Sequence, residues 1–323
     1  MQKKGNALEK LLKKGINEPV IKRSYDFTHC TLCPRACKAN REEGRGICGV
    51  GKELKIARAA LNFWEEPCIS GKEGSGTVFF SGCPLHCVFC QNREISGGEK
   101  GKEISKERFV KICFELKAAG ANNINLVTPM HYAPQIREAL LPIKKDLGLP
   151  IVVNTGGYDT EEQIASFEGL ADIWLPDFKF TAATGEKYAH AENYEEVAEK
   201  ALKLMSKQVG KPVFDERGML KSGMIVRHLI LPGERKESIK ALETLGRMFD
   251  KDEILLSVMS QYSPMPGSTG NLTRRITTFE QQTVTAVAER LGFEGYFQER
   301  SSASEEYIPP FDLTGVAGET SEK

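Results

Sequence analysis

Three cysteines lie close together in one short segment of the chain. Cys83, Cys87 and Cys90 are separated by three and two residues, directly after an apolar run that ends at Phe80. A structural zinc ion uses four protein ligands, and an iron–sulfur cluster that carries electrons is usually held by four cysteines. Three thiols therefore predict a cluster with one metal left open for chemistry. A zinc ion and a disulfide are the alternatives for these residues.

A second group of four cysteines precedes the first. Cys30, Cys33, Cys37 and Cys48 fall within a short polar segment, which is a strong metal signal. Their spacing matches neither the usual zinc ribbons nor the bacterial ferredoxin run, so a second iron–sulfur cluster and zinc both remain open. Cys68 could replace or join these four ligands.

Composition limits the classes of function. The chain has 323 residues and a formal net charge of zero, which argues against a nucleic-acid surface. It shows no apolar run of membrane-spanning length and no signal-peptide region, so we expect a cytoplasmic protein without a membrane partner. In such a protein, nine cysteines indicate metal or redox work more than disulfides. Lone Cys113, on the apolar face of a predicted helix, is expected to pack in the core.

Helices and strands alternate after the three cysteines. Predicted strands cover 77–81, 123–127, 150–154, 172–177, 224–231 and 254–259, with a short extra strand at 296–298. Predicted helices cover 105–119, 134–147, 160–167, 194–208, 237–249 and 279–291. Strict alternation indicates parallel strands joined by right-handed crossovers. We divide the chain into an N-terminal extension (1–29), a cysteine-rich segment (30–76), an α/β domain of six strand–helix units (77–298) and a polar, mobile tail (299–323).

Charged and polar residues follow the predicted strands, at the edge where such folds bind ligands. Asp177 and Lys179 share a face, and charges that point into this edge are costly unless they are paired or bind a ligand. We favour a ligand over a simple salt bridge. Arg227 and His228 are adjacent in a strand, so only one of them points inward, and we favour Arg227.

Three further strand ends carry polar side chains. Asn154 precedes a glycine-rich turn that lets the main chain approach a ligand, although an ordinary strand-to-helix turn has the same features. His131 is either a ligand contact or a loop histidine bound to solvent or backbone. Gln261 and Tyr262 line a substrate pocket or, for Tyr262, cap the core.

The spacing Cys83-x3-Cys87-x2-Cys90, with the aromatic Phe89 before the last cysteine, resembles that of radical SAM enzymes. This resemblance implies a partial (β/α)6 barrel. It also implies that a four-iron four-sulfur (4Fe-4S) cluster on the three cysteines chelates S-adenosylmethionine and, with an electron from a flavodoxin or ferredoxin, cleaves it to a 5′-deoxyadenosyl radical that abstracts hydrogen. The residues expected at the cofactor are Phe89, Thr128, Asn154, Asp177, Lys179 and Arg227.

From Cys30 to Gln298 the chain resembles pyruvate formate-lyase activating enzymes, through Glu65-Glu66-Pro67, Cys90-Gln91-Asn92 and Arg227-His228-Leu229 among other stretches. This resemblance implies a glycyl-radical enzyme as partner. The chain departs from the wider family after its second predicted strand, where only Pro129 remains of the usual Gly-Gly-Glu-Pro. Binding of the cofactor's amino group would have to come from the Thr128 hydroxyl, from backbone carbonyls or from another residue. Radical SAM modification of a small molecule or RNA is the alternative, and a non-catalytic zinc-binding module is the alternative from another class.

Overall fold

A computed structural model describes residues 25–298 and 309–317. Residues 1–24 of the predicted N-terminal extension and most of the predicted tail therefore lie outside the described residues. The strands are β1 (Leu54–Asn62), β2 (Ser75–Phe80), β3 (Lys102–Ile104), β4 (Ile124–Val127), β5 (Ile151–Thr155), β6 (Ile173–Pro176), β7 (Val213–Phe214), β8 (Leu220–Leu229), β9 (Leu255–Met259) and β10 (Gly295–Phe297).

These strands form an open α/β sheet in the order β10-β9-β8-β6-β5-β4-β2-β1-β3, with β7 paired to β8. Every neighbouring pair from β2 to β10 along this order is parallel. The alternation correctly predicted these parallel strands, including the short extra strand, and the open sheet agrees with the partial barrel that the resemblance implied. β1 pairs antiparallel with both β2 and β3, so part of the predicted cysteine-rich segment belongs to the sheet.

Helices connect the successive parallel strands, and a further short helix lies inside the sheet. They span Pro67–Ser70, Arg93–Ser96, Lys106–Ala118, Ala133–Leu140, Lys144–Leu147, Glu161–Ala165, Ala182–Ala189, Tyr194–Val209, Arg235–Met248 and Thr278–Leu291, with 3-10 turns at Phe27–His29, Met130–Tyr132, Leu141–Ile143 and Gly270–Thr273. The predicted helix over 134–147 is broken at Leu141–Ile143, because Pro142 lacks a backbone N–H and its ring clashes with the preceding turn. No helix among the described residues is long and apolar enough to cross a membrane.

The inner face of the sheet is filled partly by a segment that follows β1. Cys68 and Ile69 are buried against inward side chains of the strands, namely Val152, Ile173, Leu175, Ile225 and Leu255. The side-chain amide of Asn123 donates to the Ile69 carbonyl at 2.7 Å and fixes this segment inside the sheet. The interior below the strand ends is therefore a packed floor.

Residues 309–317 differ from the mobile tail that we predicted. Leu313 N–H donates to the Ala57 carbonyl at 3.1 Å, and Ala59 N–H donates to the Thr314 carbonyl at 2.8 Å. Phe311 is buried and packs edge-to-face on Phe79, with ring centroids 5.5 Å apart. This part of the tail is held because its aromatic side chain finds apolar partners beside β1.

Candidate active site

A cavity of about 330 Å³ opens at the carboxyl ends of the parallel strands, a volume within the range of small-molecule sites. All three residues of the Cys83–Cys87–Cys90 triad line it. The other predicted site residues on its wall are Phe89, Thr128, Asn154, Asp177, Lys179, Arg227, Gln261 and Tyr262. Residues from distant parts of the sequence meet here because parallel strands bring their ends to one edge.

The triad cysteines are free and half-buried. Burial raises the pKa of Cys87 to about 12 and that of Cys90 to about 11. Without a metal these thiols stay protonated at neutral pH, whereas a coordinated thiol is deprotonated outright. None of the nine cysteines forms a disulfide, and all nine lie within the described residues. The disulfide alternative for the triad is therefore wrong.

The loop that carries the triad is built against the N-terminal cysteine segment. Cys83 N–H donates to the Cys48 carbonyl at 3.0 Å. Gly82 has a φ of +88°, and a Cβ at this position would lie 2.6 Å from the same Cys48 oxygen. Only glycine allows both the left-handed conformation and this approach of two backbones.

Arg35 joins the same two segments from the other side. Its Nε donates to the Pro84 carbonyl at 2.8 Å, and its Nη2 donates to the Ala189 carbonyl at 2.6 Å. His86 adds a ring-nitrogen hydrogen bond of 2.7 Å to the Ile47 carbonyl. Hydrogen bonds in both directions thus tie the triad loop to the cysteine-rich segment.

The four N-terminal cysteines lie near one another, although no three of them converge as on a single metal ion. A Cβ on Gly46 would lie 3.3 Å from the sulfur of Cys48 and 3.5 Å from that of Cys37. Cys30, Cys33 and Cys48 are buried, and burial raises the pKa of Cys33 to about 11. Ala36 and Lys38 have positive φ angles, so the backbone here adopts a strained conformation that needs strong support from its surroundings.

Two other cysteines lie elsewhere. Cys68 lies in the packed floor beside Tyr296 and Glu66, not with the N-terminal four, so the expectation that it joins them is wrong. The short helix Pro67–Ser70 enters the interior of the sheet and places the Cys68 side chain there. Cys113 is fully buried in the main core, as predicted.

Asp177 and Lys179 form an ion pair of 2.5 Å on the cavity wall. Burial alone would lower the pKa of Lys179, but the Asp177 carboxylate outweighs it and raises the pKa, so the ammonium keeps its proton. Tyr194 supports the turn, since its hydroxyl lies 2.8 Å from the Gly156 carbonyl and 3.0 Å from that of Asp177. The salt bridge that we considered as the alternative is therefore present, and it faces the cavity.

Thr128 and Asn154 meet at the next two strand ends. Thr128 has a φ of +57°, a genuine outlier for a β-branched residue, and its N–H donates to the Asn154 carbonyl at 2.8 Å. His131 is buried away from the cavity, with Nε2 2.9 Å from the Ser81 carbonyl. Burial and Arg41 lower the pKa of His131 to about 3, so it is a neutral, backbone-bound histidine.

Arg227 points into the cavity and His228 points away, as the strand alternation predicted. The His228 ring nitrogen Nδ1 lies 2.7 Å from the Phe178 carbonyl. The Arg227 guanidinium is engaged by two carboxylates: Nε donates to Glu66 at 2.8 Å, Nη2 donates to Glu66 at 2.5 Å, and Nη2 also bonds Glu65. Sequence reasoning noted Glu65 and Glu66 only as part of a family resemblance and missed them as site residues.

Gln261 and Tyr262 both reach the cavity. The Tyr262 hydroxyl donates to the Leu272 carbonyl at 2.6 Å, and its ring packs against Phe89 with centroids 6.3 Å apart. Tyr262 therefore caps the core and lines the pocket at once. The Gln261 side-chain oxygen accepts from the Gln298 amide at 3.1 Å.

Because backbone atoms approach Gly82 closely, its replacement by alanine should cost more stability than the strain of a positive φ angle alone. Gly218 also has a positive φ, but nothing lies within 4 Å of its added Cβ, so Gly218→Ala is a matched control. We expect Gly218→Ala to lower the free energy of unfolding by about 1–2 kcal/mol. Gly82→Ala should lower it by at least about 1 kcal/mol more, because the methyl group meets backbone. Urea unfolding followed by circular dichroism measures both, and equal losses would contradict the contact.

Comparison with known proteins places the chain in a family. The model of the radical SAM superfamily matches residues 77–246, just over half of the chain. An uncharacterized protein of Methanocaldococcus jannaschii is 28% identical over 277 residues, which cover 82% of this chain and 75% of that protein. Among solved structures, methylornithine synthase matches with 14% identity and a TM-score of 0.45, over 66% of this chain and 67% of that chain. Streptococcus suis SuiB bound to S-adenosylmethionine matches with 14% identity and a TM-score of 0.46, over 67% of this chain and 47% of that chain. Because the family model covers more than half of its length, the chain belongs to the radical SAM superfamily.

Proposed function

We propose that the chain holds a 4Fe-4S cluster on Cys83, Cys87 and Cys90 and cleaves S-adenosylmethionine reductively, so that a 5′-deoxyadenosyl radical abstracts hydrogen from a substrate. Membership of the superfamily implies both cofactors. The observation that carries the proposal is that three free cysteines line one cavity together with the Asp177–Lys179 pair at the carboxyl ends of the parallel strands.

The triad suits a cluster better than a single ion. No three histidine, cysteine or acidic side chains converge as on one metal ion within residues 25–298 and 309–317. Cysteines that hold a cubane contact different irons, so they need not meet at one point. Desolvation raises the pKa of the Cys87 and Cys90 thiols because it disfavours negative charge, and it would lower the reduction potential of a bound cluster for the same reason.

The polar wall supplies groups for S-adenosylmethionine. The Lys179 ammonium, which keeps its proton, is suited to pair with the carboxylate of the cofactor. The Thr128 hydroxyl and the Asn154 amide lie on adjacent strand ends and offer hydrogen bonds in place of the missing Gly-Gly-Glu. Phe89 lines the same side of the cavity. Its ring makes edge-to-face contacts with the rings of Phe180 and Tyr188, with centroids 5.8 and 5.9 Å apart.

The N-terminal cysteines are suited to a second iron–sulfur cluster that passes or stores an electron. Support comes from their mutual proximity around Gly46 and from the direct hydrogen bond between Cys48 and Cys83. A flavodoxin or ferredoxin would supply the electron. Activation of a glycyl-radical enzyme stays a prediction from resemblance, and purification with such an enzyme as tagged bait tests it.

Removal of a triad ligand should abolish turnover. We expect anaerobically reconstituted protein with dithionite and S-adenosylmethionine to release 5′-deoxyadenosine, and Cys83→Ala to lower this rate at least about 100-fold, since the cluster loses one of three ligands. Cys113→Ala, a substitution of another buried cysteine, should keep most of the rate. Absence of 5′-deoxyadenosine from the unmutated protein, or equal rates in both variants, would refute the proposal.

Metal content separates the two assignments of the N-terminal cysteines. With two 4Fe-4S clusters the reconstituted protein should contain about eight irons per chain, and Cys37→Ala should contain about four. Elemental analysis by mass spectrometry, with acid-labile sulfide measured in parallel, gives these counts. One zinc and about four irons in protein purified anaerobically would instead establish a structural zinc site.

A further inference from the structure

The cavity has a second polar end, away from the cysteines. The triad, Thr128, Asn154 and Asp177 follow β2, β4, β5 and β6, whereas the second end is built on β8, β9 and β10. Arg227 pairs in register with Ser257, and Ser257 pairs in register with Tyr296, so these three inward side chains form one row. All three line the cavity together with Glu65 and Glu66. We call Glu65, Glu66, Arg227, Ser257 and Tyr296 the acidic end.

The acidic end carries more negative than positive charge. The side chains of Glu65 and Glu66 are 8% and 6% exposed, and the single guanidinium between them is 12% exposed. Burial alone would raise the pKa of Glu66, but Arg227 outweighs it and lowers the pKa, so this carboxyl is ionised. Lys179 does not supply the missing charge, because Asp177 already pairs with it. An unbalanced charge on side chains buried this far is costly until a cation arrives.

Two neutral amides also donate to Glu65 and hold its carboxylate in place. Asn125 is fully buried, and its amide nitrogen donates to Glu65 at 3.0 Å. Its side-chain oxygen, beside that carboxylate, is buried without a hydrogen-bond partner. Asn62 supplies one further donor to Glu65, at 3.1 Å. These amides add donors but no positive charge, so the excess negative charge of the acidic end is left for a cationic ligand.

The acidic end is built in advance of any ligand. Glu65 N–H donates to the Ser70 hydroxyl at 2.9 Å, and the Asn122 amide donates to the Ser70 carbonyl at 2.7 Å. These bonds fix the segment that carries both carboxylates inside the sheet, so little order is lost on binding. Trp64, 61% exposed, lines the cavity next to this segment, and an indole face adds attraction for a cation.

We propose that the acidic end binds a substrate group that carries a protonated nitrogen, an ammonium or a guanidinium. The adjoining part of the substrate is then presented to the other end of the cavity, where the cysteine triad lies. A metal ion fits less well, since no three histidine, cysteine or acidic side chains of the described chain converge as on an ion. The inference rests on the proposed function, because it assigns the substrate class of the same cavity. Arg227 then positions Glu65 and Glu66 and leaves the contact with S-adenosylmethionine to the other strand ends.

Calorimetric titration with n-butylammonium chloride, and with 1-butanol as the neutral probe of similar size, tests this assignment. Reconstituted protein is titrated with S-adenosylmethionine present, so that the probe reports on the acidic end. We expect the ammonium to bind at least about tenfold more tightly than the alcohol, as hydrogen bonds between charged groups allow. Glu65→Gln should weaken ammonium binding at least about tenfold and leave alcohol binding unchanged.

Glu196→Gln is the matched control, because Glu196 pairs with Lys200 on an exposed helix face and should bind the probe as the unmutated protein does. Equal affinity for the two probes, or undiminished ammonium binding in Glu65→Gln, would overturn the assignment. The probe comparison on unmutated protein decides the question even if the variant fails to fold. The probe comparison needs no reductant, and the release of 5′-deoxyadenosine needs no amine. Failure of this inference can therefore be distinguished from failure of the proposed function.

Discussion

The backbone hydrogen bond from Cys83 to the Cys48 carbonyl is the contact on which the site depends. It joins the two cysteine groups directly, and the absent side chain of Gly82 is what permits it. Arg35 and His86 reinforce the same junction with bonds to backbone carbonyls. The consequence is that the triad is placed by the cysteine-rich segment as well as by β2, so a metal bound at the N-terminal cysteines would rigidify the loop that carries the triad.

Burial of charge divides the cavity into two chemically different ends. At the end that carries the cysteine triad, one carboxylate pairs with one ammonium, in the Asp177–Lys179 ion pair. At the acidic end two carboxylates share one guanidinium. Arg227 and the Asp177–Lys179 pair lie on or directly after strands, and hydrogen bonds fix the segment that carries Glu65 and Glu66, so both groups are kept in place.

The sequence was sufficient where the relevant pattern is local. Alternation of strands and helices predicted the parallel sheet, and the polar residues after each strand predicted Asn154, Asp177, Lys179 and Arg227 on one wall. Partners across long sequence separations were not predictable in this way. Glu65 and Glu66 reach Arg227 only because β1 pairs antiparallel with β2 and returns the chain into the sheet. The same return of the chain carries Cys68 into the sheet and away from the N-terminal cysteines. Its proximity to other cysteines in the sequence does not show which side of the sheet it enters.

The central claim is that the triad leaves one iron open to S-adenosylmethionine, and electron paramagnetic resonance of the reduced protein tests it most directly. Cys37→Ala removes the signal of a cluster at the N-terminal cysteines, so that the triad cluster is observed alone. We expect S-adenosylmethionine to change the g values of this signal, because a new ligand would enter the coordination sphere of one iron. A signal that is identical with and without S-adenosylmethionine would contradict it.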